Sequence, residues 1–181
     1  ILLGNTNVGK TSILGRIMDK YIEKPKQTVG AVFSIKTITY NDYNISMQIW
    51  DTAGQEKYHC LAPIYYHNTD IVFLVYSIDD QDSFSIVDYW VNSLDECGAT
   101  PDIKFLIGNK CDLIDNIVIT REEGNKKASN IDAVYYEVSA KTGDGIQDLL
   151  KSVAQLYIEK LNNGKITNKK NQIDEKHNSC C

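Results

Sequence analysis

Short apolar runs alternate with helical patterns along most of this chain. The runs Ile71 to Tyr76 and Ile103 to Ile107 are continuously apolar, and Val134 to Val138 is a weaker third; such runs are typical of central strands covered on both faces. Helices are indicated by Phe84, Val87, Trp90, Val91 and Leu94, by the capping box Thr120 to Glu123, and by the stripe Ile146, Leu149, Leu150, Val153, Ala154, Tyr157 and Leu161. This alternation predicts an α/β fold with a mostly parallel sheet and helices on both faces.

The N-terminal part of the chain contributes the remaining strands. Apolar Ile1 to Leu3 indicates the end of a first strand, and since the chain begins with Ile1 instead of Met, we expect native residues before it to be missing. Thr28 to Tyr40 and Ile45 to Trp50 carry β-branched and aromatic residues on either side of the turn Asn41-Asp42. This hairpin completes a predicted six-stranded sheet with one antiparallel edge strand.

The composition changes after Leu161. Residues 162–181 are rich in Asn, Lys, Gln and Ser and bury too little apolar surface to offset ordering, so we predict one domain over residues 1–161 and a flexible tail over residues 162–181. An apolar content of 43% and a net charge of −5 are typical of a soluble globular protein and argue against non-specific nucleic-acid binding. Cys60, Cys97 and Cys111 have neither metal nor disulfide spacing, which predicts reduced thiols.

The segment Gly4 to Thr11 reads G-x-x-x-x-G-K-[ST] between a strand end and a helical pattern. In this phosphate-binding loop the backbone N–H groups point at a polyphosphate, Lys10 contacts the β- and γ-phosphates, and the Thr11 hydroxyl binds Mg²⁺. The nucleotide-binding residues predicted from the loop are Thr6, Asn7, Val8, Gly9, Lys10, Thr11 and Ser12.

Three further signals follow predicted strands and specify guanine. Asp51 can hold Mg²⁺ through water, and the Gly54 amide can approach the γ-phosphate. The run Asn109-Lys110-Cys111-Asp112 offers a carboxylate to the two adjacent N–H donors of a guanine edge, which adenine lacks. Ser139-Ala140-Lys141 offers a backbone N–H to the base carbonyl. Alone, Asn109 to Asp112 would suit an exposed turn; four ordered signals in one sheet favour the nucleotide site.

With these motifs the chain resembles a small GTPase of the Ras superfamily, and specifically the Rab branch. The resemblance covers about Ile1 to Leu161 and rests on T-V-G-A-V-F at Thr28 to Phe33, I-W-D-T-A-G-Q-E-K-Y at Ile49 to Tyr58 and the terminal Cys180-Cys181. Tyr58 to Tyr66, together with Gly30-Ala31, is similar to the early-endosomal Rab subgroup. The resemblance implies a P-loop G domain.

The resemblance also implies roles for individual residues. Thr28 meets Mg²⁺ and the γ-phosphate in the GTP state, as Gly54 does for the second switch, and Gln55 orients the attacking water. Tyr21 packs against the guanine. Metal ligands are Thr11, Thr28 and, through water, Asp51; the effector surface is formed by Phe33, Trp50 and Tyr65. An alternative makes Phe33 and Tyr65 ordinary partly buried core residues.

Partners and location follow from the same resemblance. They include a guanine-nucleotide exchange factor, a GTPase-activating protein, a GDP-dissociation inhibitor, a Rab escort protein and endosomal effectors acting on a monomer. Cys180 and Cys181 resemble a double-geranylgeranylation signal, and two lipid chains anchor more stably than one. We therefore expect a GTP-hydrolysing switch on the cytoplasmic face of endosomal membranes that cycles with the cytosol.

Three departures from the family pattern stand out. Thr6 occupies a position where side chains hinder hydrolysis, the segment from Thr11 to Thr28 is one residue shorter than usual, and Ser77 replaces a common aspartate. Thr6 motivates one alternative, a guanine-nucleotide-binding scaffold with negligible hydrolysis. The other alternative, an ATP-dependent P-loop enzyme such as a small kinase, is disfavoured by Asn109 to Asp112.

Overall fold

A six-stranded sheet forms the centre of the part of the chain that the structure describes. The structure is a computed structural model and describes residues 1–23, 25–54, 66 and 69–164. The strands are β1 (Leu2–Leu3), β2 (Ala31–Tyr40), β3 (Tyr43–Thr52), β4 (Ile71–Ser77), β5 (Ile103–Asn109) and β6 (Val134–Val138). Their order is β2-β3-β1-β4-β5-β6, with β2 antiparallel to β3 and the other neighbours parallel. The predicted sheet is confirmed.

Helices cover both faces of the sheet, as predicted. They are α1 (Lys10–Ile17), α2 (Gln81–Ser85), α3 (Val87–Glu96), α4 (Arg121–Asn130) and α5 (Ile146–Asn162), with a 3₁₀ turn at Ile114–Asn116. Successive side chains of a strand point to opposite faces. Phe73 of β4 therefore joins a core with Ile13 and Leu149, whereas Leu74 joins a second core with Trp90.

Side-chain caps fix the start of two helices. The predicted capping box of α4 is present, since Glu123 N–H donates to Thr120 Oγ1 at 3.3 Å and Thr120 N–H donates to Glu123 Oε2 at 2.8 Å. Asp80 caps α2 by accepting two backbone N–H groups of its first turn. The helix predicted around Phe84 to Leu94 is divided into α2 and α3, which meet at Ile86.

The hairpin has different bounds from those predicted. Strand β2 begins at Ala31 instead of Thr28, and β3 continues through Asp51 to Thr52, because the antiparallel ladder pairs Ala31 with Thr52 and Val32 with Asp51. Asp51 therefore belongs to the end of a strand and not to the following loop. This position holds its carboxylate more rigidly than a loop would.

Helix α1 ends at Ile17, whereas the helical spacing of Ile13, Leu14, Ile17 and Met18 predicts a helix to about Lys20. The chain turns at Asp19, which has φ 56°, and Lys20 N–H donates to the Gly15 carbonyl at 2.7 Å. A Cβ on Gly15 would lie 3.2 Å from Lys20 O. The absence of a side chain at Gly15 lets the chain fold back along the helix.

Some predictions fall outside the described residues. These predictions concern Gln55, Tyr65, Cys180, Cys181 and, apart from residues 162–164, the tail. Cys60 also lies outside them, while Cys97 and Cys111 carry free thiols, as predicted.

Candidate functional site

The loops that follow β1, β3, β5 and β6 border one cavity. These strands are parallel, so their carboxyl ends meet at the edge where open α/β sheets bind ligands. The cavity has a volume of about 420 Å³. It is lined by Thr6, Asn7, Gly9, Lys10, Thr11, Ser12, Tyr21, Glu23, Pro25, Lys26, Gln27, Thr28, Thr52, Gly54, Asn109, Lys110, Asp112, Leu113, Ala140 and Lys141. Residues of four separate motifs therefore meet in one place.

The loop between β1 and α1 surrounds the ammonium group of Lys10. Asn7 and Gly9 adopt φ 63° and 94°, which curves the backbone around the end of this side chain. Lys10 is 6% exposed, and its Nζ donates to the carbonyls of Gly4 and Asn5 at 2.8 Å each. Burial lowers the pKa of Lys10 to about 8. An anionic ligand would meet a partly desolvated cation here.

Gly54 lies directly against this loop. A Cβ at Gly54 would lie 2.5 Å from the carbonyl carbon of Asn5 and 2.6 Å from Lys10 Nζ. Since real Cβ atoms do not approach so closely, only glycine brings the backbone of this segment next to the Lys10 ammonium.

Three oxygen-bearing side chains converge beside the loop. Thr11 Oγ1 donates to Asp51 Oδ2 at 2.6 Å and lies 2.8 Å from Thr28 Oγ1, which is 3.4 Å from the same carboxylate oxygen. Asp51 is 0% exposed, and its Oδ1 has no hydrogen-bond partner among the described residues. Burial raises the pKa of Asp51, although Thr11, Lys10 and Thr28 act in the opposite direction.

This oxygen cluster fits a magnesium ion. A buried carboxylate oxygen without a partner and two hydroxyls are hard ligands of the type that Mg²⁺ prefers, and Mg²⁺ commonly completes its shell with water and phosphate oxygens. No group of three or more His, Cys, Asp or Glu side chains that suits a metal occurs in the described part of the chain. Thr11, Thr28 and Asp51 would therefore depend on the ligand's phosphates to complete the coordination.

Asn109 connects the phosphate loop with the loop after β6. Its Nδ2 donates to the Val8 carbonyl at 2.8 Å, and its Oδ1 accepts the Ala140 N–H at 3.1 Å. A Cβ at Gly9 would lie 2.3 Å from Asn109 Nδ2, so glycine is also needed for this contact. The Ala140 N–H, which was predicted to face a base carbonyl, is thus already engaged. A base would share this donor or use the N–H of Lys141.

Asp112 is held in the cavity wall by the loop after β6. Ser139 Oγ donates to Asp112 Oδ1 at 2.5 Å, and Lys141 Nζ lies 4.0 Å from Asp112 Oδ2. Ser139 is fully buried, and its Oγ accepts the Thr142 N–H at 3.0 Å, which fixes its rotamer. The carboxylate of Asp112 is thereby oriented before any ligand arrives.

Lys110 has a carboxylate partner that the sequence motifs do not include. Its Nζ lies 3.5 Å from Asp79 Oδ1, and Ser77 Oγ donates to the same oxygen. Partial burial acts to raise the pKa of Asp79, but the Ser77 hydrogen bond and the Lys110 charge together lower it. The Asp79 carboxylate, two residues after Ser77, therefore contacts both Ser77 and Lys110.

Tyr21 lines the cavity and packs under an arginine. The guanidinium carbon of Arg16 lies 4.3 Å from the centroid of the Tyr21 ring. Arg16 also reaches the loop after β6, where its Nε donates to the Ala140 carbonyl at 2.9 Å and its Nη2 donates to the Lys141 carbonyl. Tyr21 is thus fixed at the cavity despite the shortened segment.

Comparison with known proteins agrees with this geometry. The model of the Ras family matches residues 1–159. The chain belongs to the Ras family. It is 36% identical to the Ras-related protein RABF2a of Arabidopsis thaliana over 156 residues, which cover 86% of this chain and 78% of that relative. It is 38% identical to the human Ras-related protein Rab-31 over 155 residues, which cover 85% and 80% of the two chains. The chain is a small GTPase of the Rab branch.

Two of the three predicted effector residues of this Rab protein are adjacent on the β2-β3 hairpin. Phe33 pairs with Trp50 in the ladder, and their ring centroids lie 4.8 Å apart. Phe33 is 44% exposed, and its neighbour Val32 is also exposed. Phe33 is therefore not a core residue. Tyr65 lies outside the described residues.

Sequence reasoning missed Arg16 and Asp79. A basic residue in the last turn of a helix ordinarily interacts with the helix dipole or with solvent, and Arg16 gave no other signal. Asp79 gave no signal in the sequence because it lies outside the motif Asn109 to Asp112, which it contacts through Lys110. Val8 and Ser139 were both predicted to bind the nucleotide, and both are fully buried. The Val8 carbonyl accepts a hydrogen bond from Asn109, and the Ser139 hydroxyl donates one to Asp112.

Proposed function

We propose that this chain is a membrane-anchored Rab switch that binds GTP and GDP with Mg²⁺, hydrolyses GTP slowly and regulates vesicle trafficking in the endocytic pathway. One observation carries the proposal. The same cavity is lined by the buried cation Lys10, by the hydroxyls of Thr11 and Thr28, and by the oriented carboxylate of Asp112. A ligand that has a polyphosphate at one end and a guanine at the other satisfies both groups of residues.

Guanine selectivity would come from Asp112. Its carboxylate is held by Ser139 and accepts the two adjacent N–H groups of the guanine edge, for which adenine has no equivalent. A site built to hydrogen-bond such a pair rejects an analogue that lacks it by roughly 10⁴-fold, since buried polar groups are then left unpaired. The base carbonyl would accept the Lys141 N–H or share the Ala140 N–H with Asn109 Oδ1.

Thr11, Thr28 and Asp51 would hold Mg²⁺, Asp51 through a water molecule. When bound there, Mg²⁺ would neutralise negative charge on the phosphates. The chain's own part is to keep two hydroxyls and a buried carboxylate within 3.4 Å of one another and away from bulk water.

Thr28 and Gly54 would sense the γ-phosphate. Thr28 already contacts Thr11 at the start of α1, and the Gly54 backbone lies against the Lys10 ammonium. Loss of the γ-phosphate removes a contact from each segment, which releases both. In this proposal Gln55 orients the attacking water.

A second candidate function is a GTP-binding scaffold with negligible turnover. It is favoured by Thr6, which lines the cavity at a loop position where the family resemblance implies that side chains hinder hydrolysis. Release of phosphate from protein loaded with GTP separates the two functions. The enzyme gives one phosphate per chain and the scaffold gives none within the same time.

Membrane attachment would occur through geranylgeranyl groups on Cys180 and Cys181. In the described part of the chain no helix combines the length and apolar character that crossing a bilayer requires. The endosomal location rests on the similarity of Tyr58 to Tyr66 and Gly30-Ala31 to the early-endosomal subgroup. Exchange factors, activating proteins and dissociation inhibitors are the general regulators of Rab proteins, and we propose that endosomal effectors bind at Phe33 and Trp50.

Nucleotide competition tests the proposed function. Fluorescent GDP bound to the full chain should be displaced by GTP and GDP at low concentration and by ATP only at concentrations about 10⁴-fold higher. Equal displacement by ATP would overturn the guanine assignment. For the compartment, the lipidated chain should coincide with an endosomal marker, and a variant with both terminal cysteines changed to serine should be diffuse.

A further inference from the structure

Arg16 links two segments that border the proposed base site. It lies in the last turn of α1, at the end of the helix opposite the phosphate loop. Its guanidinium group contacts the Ala140 and Lys141 carbonyls of the loop after β6 and the Tyr21 ring. The loop after β6 is distant in sequence, since Arg16 and Ala140 are separated by 124 positions.

The contact with the loop after β6 uses two donors of one rigid group. Nε and Nη2 of Arg16 donate to successive carbonyls, so the guanidinium fixes both the position and the direction of the Ala140-Lys141 peptide. The Ala140 carbonyl and the Lys141 N–H belong to one peptide group, and this N–H is a donor proposed to meet the base carbonyl. Holding the Ala140 carbonyl therefore aims the Lys141 N–H.

The contact with Tyr21 places the same guanidinium over the aromatic ring. The distance of 4.3 Å to the ring centroid is typical of a cation stacked on an aromatic ring. Tyr21 reaches this position because the chain turns back at Asp19 and passes close to Gly15, where a Cβ would lie 3.5 Å from the Tyr21 Cα. The turn at Asp19 and the contact with Arg16 thus both position the side chain of Tyr21.

We propose that Arg16 is a positioning residue for guanine: it couples the backbone donor of Lys141 to the ring of Tyr21 and so sets selectivity for the base carbonyl. This inference rests on the proposed guanine-nucleotide function. It assigns Arg16 no contact with the nucleotide. Its effect reaches the base only through the loop after β6 and through Tyr21.

Base analogues distinguish this role from a general structural one. IDP lacks the amino group that donates to Asp112. The diphosphate of 2-aminopurine riboside lacks both the base carbonyl and the adjacent N1–H, so the GDP to IDP ratio serves to report on Asp112 separately. In Arg16→Met, GDP should dissociate about 10- to 100-fold faster than from the parent chain, as expected for the loss of two charge-assisted hydrogen bonds. The affinity ratio of GDP to the 2-aminopurine nucleotide should fall by about 10-fold, while the ratio of GDP to IDP stays within about 2-fold.

Two further variants complete the experiment. Arg16→Lys keeps a cation that reaches one carbonyl and should restore part of the lost ratio; if Arg16→Met does not fold, Arg16→Lys carries the same comparison with a smaller change. The matched control is Arg121→Met, which removes an exposed arginine at the start of α4 and should change neither ratio.

Two results would overturn the inference. One is GDP dissociation from Arg16→Met within about 2-fold of the parent rate. The other is an equal loss of affinity for all three nucleotides, which indicates a structural role alone. Failure of the proposed function is seen separately, because the parent chain would then show no preference for GDP over ADP.

Discussion

Asn109 Nδ2 donates to the Val8 carbonyl at 2.8 Å across a sequence separation of 101 positions. The same side chain accepts the N–H of Ala140, so one amide joins the phosphate loop to the loop after β6. The two loops proposed to hold opposite ends of a nucleotide are therefore connected before any ligand binds.

Replacing Asn109 by alanine should disconnect these loops. The buried Val8 carbonyl and Ala140 N–H would lose their partner, and each unpaired group costs about 1–3 kcal/mol, so the unfolding free energy should fall by about 2–6 kcal/mol. GDP should dissociate at least about 10-fold faster. Chemical denaturation and the release of fluorescent GDP measure the two effects.

Asn125→Ala is the matched control for this variant. Asn125 also donates through Nδ2 to a carbonyl, that of Arg121 at 2.8 Å, but it is exposed on α4. Its removal should change stability by no more than about 0.5 kcal/mol and leave GDP release unchanged. If both variants release GDP at the parent rate, the connection has no role in binding.

The titration of Lys10 should make nucleotide binding take up protons. Burial lowers its pKa from 10.5 to about 8 in the free protein, so the unfolded chain holds more protons between these values and stability from this group rises with pH across that window. A bound polyphosphate favours the charged ammonium and raises this pKa again. Near pH ~9, calorimetry in buffers of different ionisation enthalpy should detect proton uptake on GDP binding, and Lys10→Met should abolish it. Equal uptake by the variant would assign the proton to another group.

Gly54→Ala should separate GTP from GDP. The added methyl group would lie 2.6 Å from Lys10 Nζ and 2.5 Å from the Asn5 carbonyl carbon, so the segment must move away from the γ-phosphate position. We expect GTP affinity to fall by about 10-fold or more relative to GDP affinity, in proportion to one lost hydrogen bond to a charged group.

The control for Gly54→Ala is Gly98→Ala. Gly98 has φ 66°, and no neighbouring atom lies within 4 Å of the position that an added methyl group would take, so alanine there costs backbone strain but meets no neighbour. This variant should lose about 1 kcal/mol of stability and keep the parent GTP to GDP ratio. A changed ratio in the control would show that the measurement responds to stability alone.

The sequence predicts the strands well where a strand is apolar throughout, and less well where pairing decides its end. Runs such as Ile71 to Tyr76 form central strands, and their continuous apolar composition predicts this position. The composition does not predict the end of β3, because Asp51 and Thr52 are polar. They belong to the strand only through their ladder partners Val32 and Ala31. Their place depends on a second segment.

The candidate site divides in the same way. Lys10, Thr11, Asn109 and Asp112 lie at fixed spacings within short motifs, so the sequence locates them. The contacts of Arg16 depend on the approach of α1 to a loop 124 positions away, which no local pattern encodes. The residues proposed to bind the ligand are therefore located by the sequence, whereas the residues that position them are found only in the fold.

Asp79→Asn should loosen Lys110 at the cavity wall. The pair is separated by 3.5 Å, with Lys110 34% and Asp79 27% exposed, so solvent screens part of the attraction. We expect a stability loss below about 1 kcal/mol and GDP release about 2- to 5-fold faster, measured with fluorescent GDP at low and high salt.

Since the pKa of Asp79 is lowered from 3.8, its contribution to stability is present above that value and lost as the pH falls below it. Asp148→Asn is the control, because its contact with Lys151 has the same 3.5 Å length but is more than two-thirds exposed and lies outside the cavity lining. If the two variants release GDP equally fast, Asp79 does not position Lys110. If only Asp79→Asn releases GDP faster and high salt removes the difference, the Asp79 carboxylate takes the role of the aspartate that Ser77 replaces.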